Sequence, residues 1–300
     1  MDVSIIIVNY NTKELTRNCL KSLFERTKDI SFEVIVSDNG SNDGSIEMIK
    51  SKFPQVVLIE NNANLGFGAA NNRGLKIAKG KYIFYLNSDT VLLNNAVKIF
   101  FDYWENFPEK EQIGALGCVL QDENCNLIHS GGEFPKYKSV CKERFSEVVH
   151  SYAKYILLKF YLEKLYQFSR KEIKSEQVIP GEVDYVTGAD LFMLNDNFAE
   201  FDERFVLYYE ETDLQMSLRK STGKKSFLIS EPKIIHLLHK GRTEKIKFET
   251  FSTFHNKVSS VLYFEKYGKK TLLLNCLNKI IFLLPQNKKW RKEYKEAVHK

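Results

Sequence analysis

Four short apolar runs, Val3–Val8, Phe32–Val36, Val56–Ile59 and Tyr82–Leu86, constrain this chain more than any other feature. They are rich in β-branched and aromatic residues and do not alternate with polar ones, as in strands buried on both faces of a parallel sheet. Between them, apolar residues recur at helical spacing: Leu15, Cys19, Leu23 and Phe24, then Ile46, Ile49 and Phe53. Asn11, three residues before Glu14, is suited to cap the first helix, and Gly80 stops the third before the fourth strand. The repetition predicts an α/β fold, with a mixed, mostly parallel sheet flanked by helices.

Each run leads into a polar cluster. The first ends at Asn9-Tyr10-Asn11, the second in Ser37 to Asp43, the third in Asn61 to Gly68, and the fourth in Asn87-Ser88-Asp89. One such cluster is ordinary turn chemistry. Four at the carboxyl ends of parallel strands fall where open α/β sheets bind ligands, and their side chains suit ribose, base and phosphate. No G-x-G-x-x-G follows the first strand, and the phosphate-cradling G-x-x-x-x-G-K-[ST] loop is absent. A diphosphate here needs a cation, and Asp89 is the carboxylate to hold it.

The second half adds strand-like Ile113–Leu120 and Glu182–Leu194, and a helical stretch at Ser151–Lys174 that interleaves aromatic residues with lysines. Glu210-Glu211-Thr212-Asp213 carries the densest chemistry. Thr212 with Gln215 fits a capping box, which predicts Asp213 as the first helical residue. Glu210 and Glu211 then lie in extended chain with side chains on opposite sides, so only one faces an acceptor. His236 ends a strand-like run, with His239 on the opposite strand face as its competitor.

With these motifs in order, the chain resembles family 2 glycosyltransferases, inverting enzymes of the GT-A fold. The residues that carry the likeness are Val3 to Asn11, Ser37 to Asp43, Asn64-Leu65-Gly66-Phe67 with Asn71-Asn72, Leu86 to Thr90, Thr187 to Asp190, Tyr209 to Leu214 and Ile235-His236. The nearest subset is the rhamnosyltransferase-like and galactofuranosyltransferase-like group. The resemblance implies a nucleoside-diphosphate donor, a dTDP- or UDP-sugar such as dTDP-rhamnose. It also implies a glycan or lipid-linked acceptor in bacterial-type surface polysaccharide synthesis. Donor contacts map onto Asn9, Tyr10, Asp38, Asn64, Gly66, Phe67, Asn72, Asn87 and Asp89, and acceptor contacts onto Gly188, Ala189, Asp190 and Glu210. Glu211 maps onto the catalytic base, where the family has Asp. Mn2+ or Mg2+ would be held by Asp89 and His236. Asn87 replaces the first acid of the D-x-D-type motif, leaving Asp89 as its only charged ligand.

Charge locates a further partner. Residues 241–300 hold 14 Lys/Arg and 5 Asp/Glu, whereas residues 1–240 hold 30 and 33. A nearly neutral body with a basic tail points to an anionic membrane surface for the tail, and not to a nucleic acid. Five scattered cysteines without a C-x-x-C fit a reducing compartment, and the amino terminus lacks the features of a signal peptide. The expected location is cytoplasmic, peripheral on the inner face of the cell membrane. One continuous α/β body is expected, with a nucleotide-sugar half at 1–95 and an acceptor half at 96–240, followed by a basic helical tail at 241–300. A sugar-phosphate nucleotidyltransferase would want a Gly-rich, Arg- or Lys-bearing loop after the first strand, which Asn9 to Thr12 is not. A basic membrane or nucleic-acid adaptor would leave the strand-end acids without a role.

Overall fold

The apolar runs become neighbouring strands. β1 (Val3–Asn9) lies between β2 (Phe32–Asp38) and β4 (Tyr82–Asn87), parallel to both, and β3 (Val57–Glu60) extends the sheet beyond β2. Alternate residues of these strands feed two cores. Val3, Ile5 and Ile7 of β1 pack on one face with α1 (Lys13–Arg26), whereas Ile6 joins Ile35, Ile83 and Tyr85 on the other. In the computed structural model, residues 1–159, 179–237 and 245–284 are described, together with Asn287, Trp290, Tyr294 and Ala297.

The sheet reverses direction once near its centre. β10 (Asp190–Leu194) runs antiparallel to both β4 and β6 (Ile113–Cys118), and β11 (Lys225–Ile229) is again parallel to β6. With β8 (Gly181–Val183) at the edge the order is β3-β2-β1-β4-β10-β6-β11-β8. Phe192 on β10 fills the join, stacked on Phe100 and Tyr82 at ring-centroid distances of 5.5 and 5.1 Å. Glu182–Leu194 is therefore not one strand. It is divided among β8, β9 (Tyr185–Val186), which pairs with the short β7 (Gly131–Gly132), and β10, with a turn at Thr187–Ala189.

The remaining helices of the sheet unit are α2 (Ser45–Lys52), α3 (Phe67–Leu75), α4 (Ala96–Asn106) and α6 (Glu210–Thr222). Asn11 does not cap α1. It takes a positive φ of 51°, and its side chain accepts the Asn42 amide at 2.8 Å. The Lys13 amide at the start of α1 is satisfied from another loop, by Asp43 at 2.8 Å.

Contacts divide the chain into Met1–Phe134 with Glu176–Lys245, and Pro135–Ser175 with Ile246–Lys300. The segment from Pro135, expected within the 96–240 half, thus groups with the tail. Helical periodicity does not reveal such long-range packing. The second unit contains α5 (Tyr137–Lys159), α7 (Lys245–Lys266) and α8 (Leu272–Phe282). Its interior is partly ionic: Lys257, 1% exposed, reaches Glu147 at 2.6 Å, and Arg144 reaches the same carboxylate at 2.6 Å. Burial and the neighbouring Arg144 push the Lys257 ammonium down to about 8. Of the aromatic–lysine stretch Ser151–Lys174, residues 160–174 lie outside the described residues, as do Lys288, Lys289, Arg291 and Lys292.

Candidate functional site

The carboxyl ends of β2, β1 and β4 are in register, which pairs Asn9 with Asp38 and Val8 with Asn87. The Asn9 amide nitrogen donates to Asp38 at 2.5 Å and to Ser41 at 3.0 Å, and its oxygen accepts the hydroxyls of Thr12 and Thr16. Asp38 also accepts the Gly40 and Ser41 amides at 3.0 and 2.8 Å and is fully buried. As it stands, this carboxylate builds the loop and presents no surface to a base. Tyr10 is different: 47% exposed beside Asn9, its ring is open for stacking.

The Asn64–Phe67 loop is fixed from both ends. Asn64 accepts the Gly66 amide at 3.0 Å, and Asn39 donates to the Gly66 carbonyl at 3.1 Å. Gly66 has φ +87°, and a Cβ there would lie 2.6 Å from the Val206 carbonyl oxygen, so only glycine fits this docking. The Phe67 amide then bonds that oxygen at 3.1 Å. Asn72, expected at the donor, is fully buried and occupied elsewhere: its amide bonds the Phe201 carbonyl and amide, each at 2.9 Å. It ties α3 to the loop before α6.

Past β4 the chain turns into β5 (Thr90–Leu92), which pairs antiparallel with β12 (Ile234–His236) and sets His236 opposite Thr90. That small sheet brings His236 Nε2 to 3.1 Å from Asp89 Oδ1, with both side chains under one-sixth exposed. The Asn87 amide lies 3.4 Å from the same ring nitrogen. A carboxylate oxygen and an imidazole nitrogen suit Mn2+ or Mg2+, which take one or two protein groups and leave the other positions to phosphates and water. Among the described residues no group of three or more His, Cys, Asp or Glu could hold a metal, so this pair fits only a cation shared with a ligand. His239 lies outside the described residues.

The acid pair departs from the sequence reading. Tyr208 and Tyr209 both take left-handed φ values, 66° and 69°, and turn the chain so that α6 begins at Glu210. Its first turn closes through the Asp213 amide on the Tyr209 carbonyl at 2.7 Å, so Thr212 is inside the helix and caps nothing. Glu210 and Glu211 stand about 100° apart on a helix instead of opposed on a strand. Glu210 is 5% exposed, packs toward Gly68, and its Oε2 has no hydrogen-bond partner, so it is not an open acceptor contact. Burial, and then the neighbouring Glu211 charge, hold its carboxyl well above the usual range. Glu211 is partly exposed, and burial raises its pKa too.

The turn at Thr187–Ala189 joins the two chemistries. A Cβ on Gly188 would sit 3.3 Å from the Phe67 ring and 3.6 Å from Glu211 Cβ, so this glycine leaves room between them. The next residue, Ala189, accepts the backbone N–H of Asn87 at 2.9 Å through its carbonyl. Consecutive residues thus touch the Glu211 side and the Asp89–His236 side. Asp190, expected at the acceptor, is fully buried and accepts the Cys118 amide at 2.6 Å. Burial pushes its pKa up to about 6. Asn39, Thr16 and Val206 hold these loops together and were not singled out from the sequence. Only Asn39 had a visible signal, inside the Ser37–Asp43 cluster.

This sheet, with antiparallel β10 near its centre, antiparallel β8 at its edge and polar loops at the carboxyl ends of β1, β2 and β4, defines an α/β protein of GT-A-like fold. A mannosyltransferase from Pyrobaculum calidifontis in complex with GDP-Man and Mn2+ superposes with a TM-score of 0.56 at 15% identity, covering 99% of this chain and 74% of that one. Residues 4–123 match the model of Glycosyl transferase family 2. It is 31% identical over 180 residues to an uncharacterized glycosyltransferase of Methanocaldococcus jannaschii, covering 58% of this chain and 61% of that one. It is 36% identical over 120 residues to a UDP-Glc:α-D-GlcNAc-diphosphoundecaprenol β-1,3-glucosyltransferase of Escherichia coli, covering 36% and 47%. The match thus spans less than two thirds of either relative's length.

Proposed function

We propose that this chain transfers a sugar from a nucleoside-diphosphate donor to an acceptor hydroxyl by a single inverting displacement. The observation that carries the reading is the Gly188–Ala189 link, which sets Glu211 on one side and the Asn87–Asp89–His236 group on the other. Asp89 and His236 would hold Mn2+ or Mg2+, whose positive charge offsets the charge that builds on the leaving diphosphate. Tyr10 stacks on the base. Glu211, with its raised pKa, takes the proton of the acceptor hydroxyl as attack proceeds, and one such base suffices for inversion. The GDP-Man and Mn2+ of the Pyrobaculum enzyme support a donor and a cation of this type.

The donor is a dTDP- or UDP-sugar, with dTDP-rhamnose among the candidates from the rhamnosyl and galactofuranosyl motifs. The acceptor is a glycan or a lipid-linked sugar of a surface polysaccharide, a choice supported by the lipid-diphosphate acceptor named for the E. coli relative. The basic tail meets an anionic membrane surface. Transfer assays across activated sugars, paired with thermal shift by UDP and dTDP with and without manganese, test the reading. Stabilisation only with metal and turnover of one donor are expected. Stabilisation by free NTP would instead favour a nucleotidyltransferase.

A further inference from the structure

The helical unit leaves two apolar stripes in solvent. On α5, Phe145, Val149 and Ile156 are 59%, 53% and 51% exposed. At 3.6 residues per turn they fall on one line, which Lys138 and Lys142, both exposed, continue toward the helix start. On α8 and at its C-cap, Leu272, Leu273 and Leu283 are 77%, 56% and 54% exposed. Lys279 is the one charged side chain on that face, and exposed Lys269 and Lys270 stand just before it.

Both helices use their other faces for the core, through Val140 and Cys141 on α5 and Leu274, Leu277 and Ile281 on α8. The outward faces are where a globular helix ordinarily places charge. Singly exposed apolar residues need no explanation, but these lie on helices that pack together. Tyr152, beside the α5 stripe, donates to the carbonyl of Ile280, beside the α8 stripe, at 3.1 Å. The two stripes therefore meet edge to edge, rimmed by lysines.

We propose that the joined outer faces of α5 and α8 are a docking surface for an anionic lipid bilayer. Apolar side chains with a lysine rim form the pattern of helices that lie in the headgroup region. Among the described residues no helix is long and apolar enough to cross a membrane, so this contact lies on the bilayer. The exposed lysines at the stripes, Lys138, Lys142, Lys269, Lys270 and Lys279, supply the charge complementarity. This deepens the reading of an anionic surface for the tail and names its face. It is independent of the sugar-transfer reading, since binding to vesicles needs no donor.

The test is co-sedimentation of the full chain with phosphatidylcholine vesicles, with and without about one-third phosphatidylglycerol, at low and high salt. Wild type should pellet with the anionic vesicles and release partly at high salt. Phe145→Ser with Leu272→Ser should weaken binding about tenfold or more at either salt, and Lys142→Glu with Lys279→Glu chiefly at low salt. An environment-sensitive fluorophore on exposed Cys276, one turn from Leu272 within the α8 stripe, in a Cys125→Ser background, gives a second readout that leaves the stripe leucines in place and should shift to the blue on anionic vesicles. Absence of pelleting, or binding unchanged in the serine variant, overturns the proposal, as does an unshifted fluorophore. A wild-type dimer without lipid that the serine variant converts to monomer would assign the face to a second copy and also overturn it.

Discussion

His236 Nε2, at the end of β12, lies 3.1 Å from Asp89 Oδ1, in the turn between β4 and β5, although the two are far apart in sequence. Asn87 stands two residues before Asp89, where a second acid of the motif would be. Asp89→Ala and His236→Ala should each remove manganese-supported binding of UDP or dTDP, by more than the roughly 10–100-fold that outer-shell partners cost. Calorimetry with and without metal decides. Metal-dependent affinity unchanged in either variant would remove that residue from the metal pair.

Glu211 and Glu210 should separate sharply. Glu211→Gln keeps shape and donor affinity and should lose transfer by roughly 10²–10⁴-fold. Glu210→Gln replaces a buried carboxyl whose pKa is raised by burial and that makes no open contact, so its turnover should stay much closer to wild type. Because burial raises the Glu211 pKa, wild-type turnover should fall with decreasing pH through a value above the ordinary glutamate of about 4.3. Single-turnover rates across pH on both variants, with melting temperatures as a control, read this out. A fully active Glu211→Gln enzyme would end the base assignment.

Gly66→Ala should disturb the donor loop without touching a ligand-facing side chain. The new methyl would meet the Val206 carbonyl oxygen at 2.6 Å, in a backbone conformation that disfavours alanine. A cost of roughly 1–3 kcal/mol is expected, with donor affinity reduced because Phe67 loses its seat. Denaturant melts and donor titration test it. Wild-type values for both would mean that the loop adapts.

Asp190 should leave a mark on stability. Its folded pKa of about 6 exceeds the unfolded value of about 3.9, so the folded state binds more protons between them. Its contribution is intact below about pH 4 and is lost as pH rises through about 6. Relative to Asp190→Asn, wild type should therefore lose stability over that window and run parallel to it above. Urea melts of both proteins from pH 4 to 8 give the difference curve, and a flat one would contradict the buried, neutral-leaning carboxyl.

Much of the sheet was legible because β1, β2, β3 and β4 carry their burial in an unbroken apolar pattern, and their ends carry the polar clusters. The pairing of Asp89 with His236 was reached through motif order. Periodicity says nothing of how β12 finds β5. The start of α6 was misread because Tyr208 and Tyr209 adopt left-handed backbone, which no local pattern of tyrosines announces. Asp38, Asn72 and Asp190 have the chemistry of ligand-binding residues, but each is held by a partner remote in sequence, Asn9, Phe201 and Cys118 respectively. The α5 segment packs with the tail through contacts between distant positions, which composition cannot show.

The β5–β12 pairing also orders events in time. Asn87 and His236 are 149 positions apart, so at about 5–20 residues per second the ribosome releases the histidine roughly 7–30 s after the asparagine. Closing so long a loop costs entropy that grows only slowly with length, but such non-local contacts form late in folding. The nascent chain thus carries Asp89 without its imidazole partner for most of the synthesis of the first unit. A truncated product ending before β12 would hold the family-matching segment complete and the Asp89–His236 pair half made.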